Sequence, residues 1–268
     1  DCGPGRFQSK AGMHVCSSCT AGMYQSGSGK TICDECEKGK FQSQNAAGHC
    51  QGCPAGTHQG SAKAVKCTQC EPGQYSAMLA STCKACKIGT WQSSPGMSAC
   101  TECSAGRYAL VAGSTAASAC IACAAGKHQA GTGQSMCESC DAGKYGISTG
   151  ATNAAACIAC AAGKYVAAAG SDKAEACSEC RAGTYQALDG QTSCIECAAG
   201  KSAGDTGSYL LSMCKDCPSG KFQSRTGERA CASCRAGFYG TRAQSGSEAD
   251  CAACEAGMFS PTAGAGAK

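Results

Sequence analysis

Cysteine recurs in this sequence on a fixed schedule. Fourteen C-x2-C pairs begin at Cys16, Cys33, Cys50, Cys67, Cys83, Cys100, Cys120, Cys137, Cys157, Cys177, Cys194, Cys214, Cys231 and Cys251, and Cys2 stands alone before them. Successive pairs follow a period of about 17 residues, stretching at places to about 20, and such a period imposes an array of small units before any local propensity is weighed. A second column runs in phase: glycine stands three residues after the second cysteine in all fifteen units, from Gly5 and Gly22 to Gly237 and Gly257. A glycine held at one place in every unit implies positive φ or a close backbone approach. Two residues later comes a ring: Phe7, Tyr24, Phe41, Tyr75, Trp91, Tyr108, Tyr145, Tyr165, Tyr185, Phe222, Tyr239 and Phe259, with His58, His128 and Ser202 in the other three units.

A chain of 268 residues has room for one or two ordinary domains, but its apolar inventory forbids them. Ile, Leu, Val and Phe number 6, 5, 4 and 5, too few to fold by burial alone. Cysteine, at 29, is instead in the range of a disulfide scaffold. A closed loop of ~15 residues contributes about 3 kcal/mol in the chain-entropy model, so one bridge per unit can replace the missing core. Such bridges persist in oxidising compartments, which points outside the cytosol. There is no initiator Met, signal peptide or apolar run of the length that spans a membrane.

The interval between pairs is constant in most early units, as in Thr20–Ile32 and Glu37–His49, and one residue shorter in Glu71–Thr82. It is three residues longer in Ser104–Ala119, Asp141–Ala156, Ala161–Ala176, Ala198–Met213 and Arg235–Asp250. Each unit reads as a short hairpin, with a strand at aromatic-Gln-Ser, a Gly-rich turn such as Gly27-Ser-Gly29 or Asp189-Gly190, and a return to the next cysteine. The fold class is therefore small disulfide-rich β: an elongated linear array of about fifteen hairpins with little hydrophobic core. At about one sheet-packing spacing of ~10 Å per unit, it would extend on the order of 150 Å. Nothing marks a domain boundary, so positions 1–268 read as one continuous array, in units of roughly 16–20 residues. Cys2 opens as half a pair and the chain stops in mid-unit after Cys254, as expected of a segment of a longer polypeptide.

Three chemistries compete for the cysteines. Two C-x2-C pairs could hold zinc, but that would set a period of two units, and the early units show no alternation. A redox C-x2-C uses one exposed pair at a helix start, whereas here there are fourteen without helices. A bridge within a pair constrains only a four-residue ring, while one from the second cysteine of a pair to the first of the next closes a hairpin. The expected bonds are therefore Cys2 to Cys16, Cys19 to Cys33, Cys36 to Cys50, Cys53 to Cys67, Cys70 to Cys83, Cys86 to Cys100 and Cys103 to Cys120. They continue with Cys123 to Cys137, Cys140 to Cys157, Cys160 to Cys177, Cys180 to Cys194, Cys197 to Cys214, Cys217 to Cys231 and Cys234 to Cys251. Cys254 is left over, its partner expected past Lys268.

Other motifs that suggest chemistry have plainer readings. Gly27-Ser-Gly29-Lys30-Thr31 looks like the end of a phosphate loop, yet Tyr24 stands where glycine is needed and Cys33 follows where a helix should. His14 and His49 read as turn residues, His58 and His128 as flat substitutes in the ring column, and Asp34-Glu35 as solvated. Asn45 and Asn153 are each followed by Ala-Ala, so neither is an N-glycosylation sequon. Arg6, Lys40, Arg107, Lys127, Lys144, Lys164, Lys201 and Lys221 share one column, either a stripe for an acidic glycan or solvated neighbours of a buried ring. A net charge of +4 gives little reason to expect nucleic acid. No catalytic residue, metal ligand or cofactor is expected.

The unit Cys36-Glu-Lys-Gly39-Lys-Phe41, then Cys50-Gln-Gly-Cys53, resembles the cysteine-rich repeats of ephrin receptors, the GCC2/GCC3 or ephrin-receptor-like repeats. It is also similar to the first half-module of tumour-necrosis-factor-receptor repeats. The resemblance covers the whole chain and implies an extended rod of bridged hairpins. Receptor ectodomains interleave such units with other modules. A pure array is similar to those of surface and appendage proteins of unicellular eukaryotes, including flagellar mastigonemes. The expected function is thus a non-catalytic extracellular rod or filament segment, at the cell surface or in a secreted appendage. Its expected partners are other copies or other segments of the same filament, and glycans. The alternative is a receptor or adhesin stalk that binds a protein or glycan ligand.

Overall fold

The computed structural model describes residues 1–256, 258–260 and 262–266. Gly257, the last glycine of the column, and Pro261, Ala267 and Lys268 of the terminal stretch lie outside the described residues. Among those described, the strands form fourteen two-stranded antiparallel hairpins in chain order, with no larger sheet. Two compact units are distinguished, residues 1–122 with 129–137, and residues 123–128 with 138–268.

Each hairpin is minimal. In the third, Lys40–Phe41 pairs with Gln51–Gly52 in the register Lys40↔Gly52, Phe41↔Gln51. The strand therefore sits one residue earlier than the aromatic-Gln-Ser stretch expected from sequence, and its partner lies between the two cysteines of the following pair. Asp34-Glu35 is likewise such a strand, paired with Met23–Tyr24. The residue after the ring turns its main chain to the next hairpin instead, with or without glutamine there: the Gln42 main-chain amide donates to the Ala64 carbonyl at 3.0 Å and the Val166 amide to Gln191 at 3.2 Å. The Gln42 amide Nε2 donates to the His49 carbonyl at 2.8 Å, and its Oε1 accepts from the Gln44 amide at 2.9 Å. A side chain bonded in this way braces its own loop.

Cysteine supplies the core. Cys36, Cys53, Cys70 and Cys86 are fully buried, each the second of its pair. Bonds join Cys2–Cys16, Cys19–Cys33, Cys36–Cys50, Cys53–Cys67, Cys70–Cys83, Cys86–Cys100 and Cys103–Cys120, with Cα–Cα separations of 5.5 to 5.7 Å. Further on they join Cys140–Cys157, Cys160–Cys177, Cys180–Cys194, Cys197–Cys214, Cys217–Cys231 and Cys234–Cys251. Cys123 and Cys137 are disulfide-bonded as well, and Cys254 has no disulfide partner among the described residues. Rings complete the clusters: Trp91 packs on Cys103 and Cys120 of the following unit, and Tyr185 on Cys197 and Cys214.

The five longer loops, closed by the bridges Cys103–Cys120, Cys140–Cys157, Cys160–Cys177, Cys197–Cys214 and Cys234–Cys251, differ from the rest in two linked ways. Their extra residues form short 3-10 turns at Ala117–Ala119, Ala154–Ala156, Ala174–Ala176, Leu211–Met213 and Glu248–Asp250, each directly before the bridging cysteine. Where the shorter loops carry glutamine after the ring, or Ser76 in the shortest, these carry Ala109, Gly146, Val166, Ala203 and Gly240. Ala109, Val166 and Ala203 are buried against the bridge of their own unit. The turn satisfies the chain internally, so the loop no longer needs an amide strut, and a small residue fits where the strut would stand.

Consecutive units are stitched through the main chain. The Gly22 amide donates to the Gln42 carbonyl at 2.8 Å, the Gln25 amide to Ala47 at 3.1 Å, and the Ala46 amide to the Cys19 carbonyl at 2.8 Å. The pattern recurs down the chain, for instance at Gly163 to Gln186, Gln186 to Ser208, and Gly207 to Cys180. At roughly 1 kcal/mol net per bond, three bonds per junction hold neighbours together with almost no apolar burial.

Candidate interaction surface

The glycine column lies at this junction. Gly39 has φ of +79°, and a Cβ built on it would collide with the carbonyl of Leu79, two units on. Both reasons for glycine hold at once: the left-handed backbone and a neighbour's carbonyl in the space of a side chain. The opposing residue belongs to a second positive-φ column that sequence reasoning registered only as scattered turns. It comprises Gly96 at +72°, Gly190 at +70° and Gly227 at +72°, but also Ala46 at +56°, Lys63 at +57°, Leu79 at +62° and Gln244 at +62°. The turn glycines were its visible signal, masked wherever another residue stands in the same place.

The histidines fall into structural positions. His58 Nδ1 lies 3.1 Å from Cys83 Sγ and beside Cys70, the only grouping of metal-type side chains among the described residues. Those two sulfurs are joined to each other, so no thiolate pair is on offer there. Ser202 takes the same place, its Oγ 3.3 Å from Cys231 Sγ. His128 is buried, its Nδ1 without a hydrogen-bond partner. The stretch Gly27–Thr31 is a glutamine-strutted loop, with the Gly27 amide donating to Gln25 Oε1 at 3.1 Å and Gln25 Nε2 to Ile32 at 2.9 Å.

The basic column is partly neutralised in place. Lys40 meets Glu37 at 3.1 Å, Lys144 meets Asp141 at 3.6 Å, Lys164 meets Glu179 at 3.8 Å and Lys201 meets Asp216 at 2.5 Å. Arg107 donates to the Cys120 carbonyl at 2.9 Å. These pairs are at the surface and hold little energy, but they break the stripe as a continuous cationic track. A half-open hollow of about 690 Å³ lies at Tyr239, Cys254, Met258 and Phe259. A second of about 400 Å³ lies at Arg235, Phe238 and Glu248, where the Arg235 guanidinium sits 4.2 Å over the Phe238 ring.

The apolar side chains face the wrong way for a core. All six Ile, all five Leu and three of the four Val are exposed, only Val166 being buried. Most stand on the loops, as do Leu110 with Val111, Leu188, and Leu210 with Leu211.

A repeat of small bridged hairpins with this glycine-and-ring register is what one family model describes. The model "tyrosine-protein kinase ephrin type A/B receptor-like" matches residues 5–48, 24–70, 73–120, 114–157, 168–210 and 204–251. The chain belongs to this family. Ephrin-receptor-like repeats are non-catalytic, extracellular cysteine-rich modules, and the described residues form a series of such modules with no enzyme-like architecture among them. No curated protein matches the chain. Among the described residues no helix is long and apolar enough to cross a membrane.

Proposed function

We propose that this chain is a structural segment of an extracellular rod or filament, a surface fibre or flagellar appendage, in which copies or other segments of the same assembly pack side by side. The exposed aliphatic side chains carry the reading. Ile, Leu and Val are normally among the most buried residues, and a chain with so few places nearly all of them in solvent. The stitching between hairpins supports it further, since the same kind of main-chain junction recurs within both compact units. The test is negative-stain microscopy of the full chain under non-reducing conditions. Periodic fibres or bundles are expected, and dispersed single particles at all concentrations would turn the reading toward a stalk.

The second reading, a receptor or adhesin stalk, gains support from one unevenness. Free cationic side chains are concentrated in residues 215–242 and are not distributed evenly along the chain. The bridging scheme from the second cysteine of one pair to the first of the next is proposed for the protein as secreted. Peptide mapping without reduction should recover Cys33 linked to Cys19 and not to Cys36.

A further inference from the structure

Residues 215–242 carry Lys215, Lys221, Arg225, Arg229, Arg235 and Arg242 against Asp216 and Glu228, a formal +4 that equals the net charge of the whole chain. Asp216 is already taken by Lys201 at 2.5 Å. None of the six cations has a carboxylate within ion-pair distance among the described residues, and all six are exposed. Four of the chain's seven arginines fall in this stretch, although arginine is rare elsewhere.

The fold brings the arginine-bearing loops side by side. The Gln223 amide donates to the Ser245 carbonyl at 3.0 Å, joining the loop of Arg225 and Arg229 to the loop of Arg242. Each loop is braced. Gln223 accepts from the Arg225 amide at 3.1 Å and donates to the Ala230 carbonyl at 2.8 Å, while Ser245 Oγ donates to the Arg242 carbonyl at 3.1 Å. On the other side, Thr226 Oγ1 donates to Glu196 at 2.6 Å and Arg181 donates to the Gly227 carbonyl at 3.2 Å. The guanidinium groups are thus presented from fixed backbone. Unlike most other loops of the chain, 223–230 and 240–247 contain no Ile, Leu, Val, Met or aromatic residue, and Ser224 and Thr241 flank the arginines with exposed hydroxyls.

We propose that the adjoining loops 223–230 and 240–247 form a binding surface for an acidic polysaccharide, gripping sulfate or carboxylate groups through Arg225, Arg229 and Arg242. Guanidinium offers a planar fork that matches such anions two bonds at a time, and the neighbouring hydroxyls suit a hydroxylated chain. An acidic polypeptide is the poorer fit, because the loops lack an apolar side chain or pocket to anchor residues between its carboxylates. This surface lies on the loops and not on the strand column of lysines, and it holds whether or not the chain packs into a filament.

The experiment measures binding of the full, oxidised chain to heparin as a sulfated polysaccharide, polyglutamate as an acidic polypeptide, and dextran as a neutral one. Heparin should bind saturably and weaken as salt is raised, dextran should not bind, and polyglutamate should bind more weakly. Combining Arg225→Ser, Arg229→Ser and Arg242→Ser should weaken heparin binding at least about tenfold, equivalent to roughly 1.4 kcal/mol. Combining Lys10→Ser, Lys30→Ser and Lys66→Ser removes the same charge from elsewhere and should leave the affinity within about twofold. Replacing the three arginines by lysine preserves charge and fold and should give an intermediate loss, since the fork is gone. Equal losses in the serine and control variants would reduce the effect to net charge and overturn the proposal. Polyglutamate binding as tightly as heparin, or no saturable heparin binding, would overturn it also.

Discussion

At the scale of single residues, the junction between hairpins rests on backbone conformations that side chains resist. Gly39 meets both a left-handed φ of +79° and the Leu79 carbonyl, so Gly39→Ala has no conformation that relieves both. A loss of about 2 kcal/mol or more is expected, confined to the adjoining hairpins and read by hydrogen exchange. The facing column gives the opposite sign. Ala46 sits at φ +56° in a place most units give to glycine, so Ala46→Gly should stabilise its junction by about 1 kcal/mol, less the added freedom of the unfolded chain. If Ala46→Gly is destabilising, the second column is not strained as argued. The first column could be read from sequence because glycine is invariant across the units and only its reason was open. The second could not, because an αL turn tolerates Ala, Lys, Leu or Gln at moderate cost and leaves no uniform letter behind.

At the scale of the hairpin, length and chemistry are coupled. Gln42 is buried with its amide spanning the loop, and Gln42→Ala would strand the His49 carbonyl and the Gln44 amide. A cost of roughly 1–3 kcal/mol follows for that unit. The converse change, Ala203→Gln in a long loop, forces an amide into space filled by Cys197, Cys214 and Tyr185, and should cost about 1–3 kcal/mol by overpacking. Chemical denaturation of each variant, with exchange mapping to locate the loosened hairpin, distinguishes the two cases. The hairpin series and its turns were legible from spacing alone, because a two-residue strand needs only a turn and a bridge. The strand position was not: aromatic-Gln-Ser reads as alternating strand, but the main-chain amide after the ring is given to the next hairpin, as from Gln42 to Ala64 and from Val166 to Gln191, a pairing that local propensity does not register. The link of the bracing glutamine to loop length was present in the letters, since glutamine follows the ring column only in units with the common interval between pairs, as in Thr20–Ile32, and never in the longer ones.

Over the whole molecule, stability should be a sum of short-range terms, since the buried clusters among the described residues are local to one or two adjacent hairpins. Trp91→Ala, which uncovers the Cys103–Cys120 bridge, should cost roughly 2 kcal/mol and speed exchange only in the hairpins beside it. Loss of protection across residues 1–122 together would mean that the unit folds as one cooperative block. The same logic separates folding from assembly. Leu110, Val111, Leu188, Leu210 and Leu211 are 47–68 % exposed, so they contribute little to the isolated fold. Replacing these five with serine should therefore change unfolding stability by no more than about 0.5 kcal/mol per site. If copies pack through these loops, the same replacement removes apolar area worth ~25 cal/mol per Å² from the contact between them, and association should weaken by at least about tenfold in sedimentation. A variant that folds normally and assembles as well as the parent would show that the aliphatic side chains are not the lateral contact, and would leave the cationic loops as the surface through which this chain meets its surroundings.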